Sequence, residues 1–552
     1  MVNAGQKSCA AVLLLALAVL TATAVARGAE YDEQYTLFLT AGVARPAWPA
    51  TAFPAGMVWV LQSGHASLAG IARDLRATDV HPPLYFWAVA RWRRLMGSGL
   101  LTARVFSVLC DVAALAAVGV IACRTGPPPA LAMLLTLGCY GFAYTGAIAR
   151  GFALPQALTL WGVVALLSPR RRGFVGGVLL GAAMFANYLA AFVAAATVAA
   201  RVATGRTADP RWVDTAAPGR QRGAACSPGF LQGVAADSSG GTETRLPASC
   251  LPGLPLLIST LTGLLPFLLA NLWFFLAQRD SRTGQFPPFS LLAALPRLAR
   301  YAAANLFGGL PLYAPAPARA AIAAAVALLA LVGAALIAAR WRHIAVTASA
   351  RRLLLAAALA PHVGLLALSA IFHDTYVELR YLAFATPFAA LLLAGAIASL
   401  PPLARRTAIA VVLSVQAASL AGLMVRPETM QPARATAAAA ARLAGGGIVL
   451  VPRGNDGVGI VGAFAIESPA SQRLMVVSGD ETPARILARL GTTRRVVLAL
   501  LAQDNASRAT LPAMRAALDN PCWRRLGDGF NVLAFDRVCD EDMPWSSSTV
   551  SR

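Results

Sequence analysis

Charge is what this sequence has least of. Asp, Glu, Lys and Arg make up 13% of its 552 residues, against about 25% in an ordinary soluble protein. Lysine is almost missing: Lys7 stands alone, so arginine carries nearly all of a net charge of +22. The deficit excludes an ordinary soluble globular protein. Spaced cysteine pairs are also absent, since none of the eight cysteines falls in a CxxC or metal-ligand spacing, which excludes the common zinc and dithiol motifs. Cys110, Cys123 and Cys139 lie in or beside apolar runs and are expected as packing residues. Cys522 and Cys539 flank a short stretch near the C-terminus, where an extracytoplasmic location would allow a disulfide.

Apolar residues are abundant instead, at 57%, with a mean hydropathy of +0.62. They occur in runs at roughly 10–26, 102–122, 129–148, 152–168, 173–186, 189–203, 251–276, 319–340, 352–371, 380–400 and 407–424. By length these predict a polytopic α-helical membrane protein with about eleven transmembrane helices. The positive charge does not imply a nucleic-acid partner, because the arginines cluster at run ends, where the positive-inside rule places them. Arg124, the triplet Arg170–Arg172, Arg201, Arg206, Arg340, Arg342, Arg351, Arg352, Arg405 and Arg406 then share the cytoplasmic side. The N-terminus is expected in the cytoplasm, in a multi-pass inner-membrane chain.

Between the first two runs lies a first outer loop, 28–101. Its helix-like stretch Pro82–Met96 holds Arg91, Arg93 and Arg94. Three arginines make a poor span, so an interfacial helix with a solvated or headgroup-binding arginine face is expected. Residues 204–250 form a polar cytoplasmic loop, and 277–318 an outer loop. Beyond 425 the pattern changes to short strand-like runs (448–451, 474–477, 495–500) alternating with helix-like stretches. That predicts a membrane domain over 1–425 and a small extracytoplasmic α/β domain over 426–552.

Several polar groups then gather on the outer face. Asp32 and Glu33 follow the first run, and His81-Pro82-Pro83-Leu84-Tyr85 opens the interfacial helix. Arg150 lies at an outer turn, Asn187-Tyr188 at the tip of a short hairpin, and Arg380-Tyr381 at the start of a late span. A carboxylate suits general-base work on an acceptor hydroxyl, and arginine grips a phosphate with two hydrogen bonds. His373, Asp374 and Glu378 do not form a recognised ligand pattern; neither a metal nor a cofactor is expected.

The order of these motifs resembles the GT-C glycosyltransferases, in particular the dolichyl-phosphate-mannose-protein mannosyltransferase-like group. That group includes the bacterial lipid A aminoarabinose transferases and lipopolysaccharide core transferases. The resemblance covers roughly residues 10–425 and rests on 31–36, 81–86, Arg104 before an apolar run, Ala149-Arg150-Gly151-Phe152, Asn187-Tyr188, and Arg380-Tyr381 with Pro387. It implies a polyprenyl-phosphate sugar donor and a glycan, lipid or protein acceptor. Asp32 would be the catalytic base, with Glu33 its neighbour. His81, Tyr85, Arg104, Arg150, Asn187, Arg380 and Tyr381 would bind substrate. The sequence departs from the family at Ala149, where an acidic or amide residue is usual, and at Phe152, where a tyrosine is. It departs again at Asn187, where histidine is common. A transporter or flippase of lipid-linked material would use the same cavity without chemistry, and a non-catalytic envelope assembly protein would keep the scaffold alone. No internal repeat is present, and the ionisable groups gather at one interface rather than at mid-membrane, which favours the enzyme.

Overall fold

The computed structural model describes residues 4–168, 172–205, 254–279, 287–309, 311, 316–425 and 432–539. Arg170, Arg171, Arg206 and most of the cytoplasmic loop lie outside the described residues. The chain divides into two compact units. One comprises residues 1–25, 75–85 and 104–425; the other comprises 26–74, 86–103 and 426–552. Most of the first outer loop thus groups with the C-terminal segment.

Among the described residues, all eleven apolar runs are mainly helical. In chain order the helices of the first unit include α1 (Ala4–Ala26), α6 (Leu100–Thr125), α7 (Pro129–Gly138), α8 (Tyr140–Gly146), α9 (Ala153–Leu166), α10 (Gly173–Ala186) and α11 (Ala190–Gly205). They continue with α12 (Leu254–Gln278), α13 (Leu291–Phe307), α14 (Ala316–Ala339), α15 (Ala348–Phe372), a 3-10 segment (Leu379–Ala385), α16 (Thr386–Ala398) and α17 (Pro402–Val425). Among the described residues seven helices are long and apolar enough to cross a membrane; α7, α9, α10 and α11 are apolar but shorter. Large apolar side chains such as Leu328, Leu331 and Val332 point outward, as a lipid-facing surface requires.

The run 129–148 is broken. Cys139 is extended (φ −63°, ψ 121°) and ends α7. A break in an apolar interior frees backbone groups that need new partners. Here Gln416 Nε2 on α17 donates to Leu135 O at 3.1 Å and to Leu306 O at 2.9 Å. In the same way Asn305 Nδ2 on α13 donates to Leu379 O at 2.7 Å, tying the 3-10 segment to its neighbour.

Small residues decide how α10 meets α12. Gly173, Gly177 and Gly181 repeat every four residues along one face, a spacing that lets helix backbones approach closely. A Cβ on Gly177 would lie 2.1 Å from Thr260 O, and one on Gly263 of α12 would lie 2.4 Å from Phe174 O.

In the second unit, α2 (Tyr31–Ala41), α3 (Gly56–Gln62) and strand β1 (Phe53–Pro54) come from the first loop. Helix α4 (Leu68–Thr78) and helix α5 (Leu84–Met96) are each divided between the units. The C-terminal part supplies α18 (Ala433–Ala444), β2 (Ile448–Pro452), α19 (Gly459–Ile466), β3 (Arg473–Val477), α20 (Pro483–Leu490) and β4 (Arg495–Ala499). It ends with α21 (Asn505–Leu518), β5 (Trp523–Gly529) and β6 (Val532–Arg537). Six strands form one sheet in the order β1-β3-β2-β4-β6-β5. The three central strands are parallel and almost wholly buried, which explains their unbroken apolar sequences. The α/β character expected beyond 425 is therefore present, with β1 of the first loop added antiparallel at one edge. Cys522 and Cys539 are disulfide-bonded across the ends of the β5–β6 hairpin. Cys110 and Cys139 are free thiols. Cys123, expected as a packing residue, is instead disulfide-bonded.

The arginine face expected on α5 needs correction. Arg91 and Arg94 are exposed, but Arg93 is fully buried. Its guanidinium donates to Leu37 O at 3.0 Å and Ser98 O at 3.1 Å, and also bonds Thr40 Oγ1 and Gln62 O. At 100° per residue, positions 91 and 94 share a face that 93 leaves. That third arginine ties α2, α3 and α5 together.

Ala at Gly177 should lower the thermal unfolding midpoint of the detergent-solubilised protein, at a cost of about 1–3 kcal/mol. Ala at Gly99, where an added Cβ meets nothing within 4 Å, should leave the midpoint unchanged.

Candidate active site

The helices of the first unit bring three charged or titratable side chains together. Asp79 follows α4, His81 stands two residues on, and Arg150 sits in the turn between α8 and α9. Arg150 Nη2 lies 3.6 Å from Asp79 Oδ2 and 3.4 Å from His81 Nδ1, and His81 Nδ1 lies 3.1 Å from Asp79 Oδ2. Arg150 and Asp79 are buried, at 4% and 6% exposure. Burying a guanidinium is costly unless a carboxylate accompanies it, and Asp79 supplies one.

The turn that carries Arg150 is held by its neighbours. Arg150 N donates to Ile148 O and Phe152 N donates to Arg150 O. Asn187 Nδ2 donates to Gly151 O at 2.7 Å, while its Oδ1 accepts from Leu189 N at 3.0 Å. Both ends of the Asn187 amide are thus spent on backbone, one on the Arg150 turn and one on the start of α11. Tyr85 is fully buried beside the same turn: a Cβ on Gly151 would lie 3.3 Å from its ring.

A cavity of about 250 Å³ opens beside this cluster. His81, Asn187, Tyr188, Gln278 and Arg279 give it a polar end; Phe192, Phe275, Leu365, Leu368 and Phe372 make an apolar wall, with Tyr376 and Tyr381 alongside. Tyr188 Oη donates to Gln278 Oε1 at 2.8 Å, and Gln278 Nε2 donates to Leu75 O and His81 O. Burial, and then the Asp79 carboxylate, hold the Tyr188 phenol above its usual pKa. A polar, arginine-bearing end joined to an apolar wall suits an amphiphile with an anionic head.

In the second unit Asp32 and Glu33 occupy the first turn of α2, and Asp32 is buried. Glu33 Oε2 accepts from Glu30 N at 2.9 Å and completes a capping box with Glu30 as N-cap. Its carboxylate therefore shapes the helix start that carries Asp32.

No family model matches the sequence, and no curated protein matches it by sequence. Among solved structures, the chain is similar to ArnT from Cupriavidus metallidurans bound to undecaprenyl phosphate. The TM-score is 0.50 at 11% identity, over 97% of this chain and 99% of that one. The chain has a GT-C-like fold. The apo state of the same ArnT gives a TM-score of 0.49 at 12% identity, over 98% and 100% of the two chains. The mycobacterial arabinofuranosyltransferase AftD gives 0.42 at 13% identity, over 98% of this chain and 42% of that one.

Within this GT-C-like fold the other expected substrate residues take different places. His81, Asn187 and Tyr381 line the cavity. Arg104 is buried on α6 and donates to Ala24 O at 2.8 Å, tying α6 to the end of α1. Arg380 pairs with Glu378 at 2.6 Å, its guanidinium over the Tyr381 ring. Asp79, Gln278 and Arg279 were not legible as site residues. Asp79 stands two positions before the His81-Pro82-Pro83 motif, and that proximity was the available signal.

Asp79→Ala leaves Arg150 without this carboxylate and should cost about 3 kcal/mol of stability, read as a lowered unfolding midpoint. Asp79→Asn keeps an acceptor and should cost less.

Proposed function

We propose that this protein is a membrane glycosyltransferase that moves a sugar from a polyprenyl-phosphate donor to an extracytoplasmic acceptor, with inversion at the anomeric carbon. The observation that carries this reading is the buried Arg150–Asp79–His81 cluster, whose His81 lines the polar end of an apolar-walled cavity, within a GT-C-like fold. The undecaprenyl phosphate bound to the similar ArnT is an amphiphile of the chemistry that such a cavity suits. On this reading the chain is an inner-membrane protein, and its C-terminal domain stands outside the cytoplasm.

In the proposed reaction Asp32 takes the proton of the acceptor hydroxyl. The hydroxyl oxygen forms a bond to the anomeric carbon as the bond from that carbon to the phosphate oxygen breaks. The electron pair leaves with the phosphate, and the lipid departs as polyprenyl phosphate. Arg150 and His81 stabilise the charge that gathers on the leaving oxygen, and Asp79 keeps Arg150 in place. Arg380 and Tyr381 contribute to the phosphate end, and Arg104 and Tyr85 support the scaffold around it. One displacement with no covalent sugar–enzyme intermediate inverts the centre.

The test begins with mass spectrometry of cell-envelope glycans with and without the gene, which identifies the transferred mass. Purified wild-type protein and Asp32→Asn are then given a lipid extract of the deletion cells. Asp32→Asn should lose transfer by at least about a hundredfold while still binding undecaprenyl phosphate. Transfer at the wild-type rate by a folded Asp32→Asn variant would sink the base assignment. Binding with no gene-dependent glycan mass would point to a lipid carrier.

A further inference from the structure

We infer that Tyr31 is a positioning residue for Asp32, and that it acts through Asp504 of the C-terminal sheet domain. The inference rests on Asp32 being the general base.

Every contact involved lies within the second unit. The segment leading into α2 is fixed by α18 and α19 of the C-terminal part. Arg434 donates to Ala26 O at 2.9 Å and to Arg27 O at 3.0 Å, while it pairs with Glu467 at 2.8 Å. Glu467 Oε1 accepts from Ala29 N at 2.7 Å. Arg27 and Glu30, both buried, form an ion pair. Asp32 follows two residues later.

Tyr31 is the first residue of α2 and the immediate neighbour of Asp32. Its ring packs so closely on α19 that a Cβ on Gly459 would come within 2.6 Å of it. Its hydroxyl donates to Asp504 Oδ2 at 3.2 Å. Asp504 is itself fixed twice. Oδ1 accepts from Ser507 N at 2.8 Å as the N-cap of α21, and Oδ2 also accepts from Asn455 N at 2.7 Å. Burial, then the Asp456 and Asp504 carboxylates that the hydroxyl faces, raise the Tyr31 pKa above the usual phenol range.

These bonds reach the loops that follow β2 and β4, two adjacent parallel strands. The ends of two adjacent buried strands therefore hold the residue next to the base. A general base works within a narrow range of positions, and a shift of about 1 Å can cost on the order of a hundredfold in rate. One hydrogen bond contributes little to global stability. Losing it should therefore show in rate far more than in stability.

The test uses the full-length protein in proteoliposomes and the lipid extract of deletion cells as the source of both substrates. Tyr31→Phe keeps the ring on Gly459 and removes only the hydroxyl. It should slow saturated transfer about tenfold, with the extract concentration at half-maximal rate and the unfolding midpoint unchanged. Asp504→Ser keeps an N-cap oxygen for α21 but cannot also reach Tyr31 and Asn455 N, and should slow transfer by at least a similar factor. The double variant should be slowed by less than the product of the two single losses, because the Tyr31–Asp504 bond is lost in both; Asp504→Ser also gives up the bond from Asn455 N. A wild-type rate for Tyr31→Phe alongside an inactive Asp32→Asn would overturn the inference and leave the base assignment standing. So would a rate loss matched by a fall in the folded fraction, or losses that multiply in the double variant. An active Asp32→Asn would remove the base assignment and the inference together.

Discussion

The constraint on which this structure depends is that a polar group taken into an apolar interior must bring or find a partner there. Arg150 enters with Asp79 and His81. The break after α7 is possible because Gln416 reaches the carbonyl of Leu135, and the 3-10 segment before α16 because Asn305 reaches that of Leu379. Each of these two irregularities is matched by one side chain from another helix. The candidate site also gathers at irregular places, since straight helices would carry no turn for Arg150 and no hairpin tip for Asn187.

Much of the scaffold was legible because a bilayer imposes long apolar runs, and among the described residues each of the eleven runs is mainly helical. The break at Cys139 was not legible, since the apolar pattern runs through it without a change of character. The late α/β segment was readable from short apolar runs that alternate with helix-like ones. Strand β1 was not, because two residues carry no period and their pairing with Arg473 and Leu474 is a long-range event. Arg93 misled for a different reason. Three arginines in four positions look like one charged face, whereas the helix turns one of them inward.

The candidate site shows the same division. His81, Arg150, Asn187 and Tyr381 were found by residue type and order, and three of them line the cavity. Asp79 was missed because a lone carboxylate in a polar loop gives no signal until Arg150 is seen 3.6 Å away. Glu33 was read as a partner in the chemistry; the structure also gives it a capping role that only the bond to Glu30 N reveals. Asn187 was read as a substrate contact, and both ends of its amide hold backbone.

The bond from Ala29 N to Glu467 joins residues 438 positions apart, and this has a consequence in time. A ribosome adding roughly 5–20 residues per second makes the segment around Asp32 some 20–90 seconds before the residues that hold it. Throughout that interval α2 has neither Arg434, Glu467 nor Asp504 to rest on. The segment becomes fully anchored only when nearly the whole chain has been synthesised. A chain cut short between α17 and α18 would contain every described helix of the first unit and still lack the frame around its carboxylate. Synthesis order thus keeps an incomplete membrane scaffold from presenting an organised Asp32.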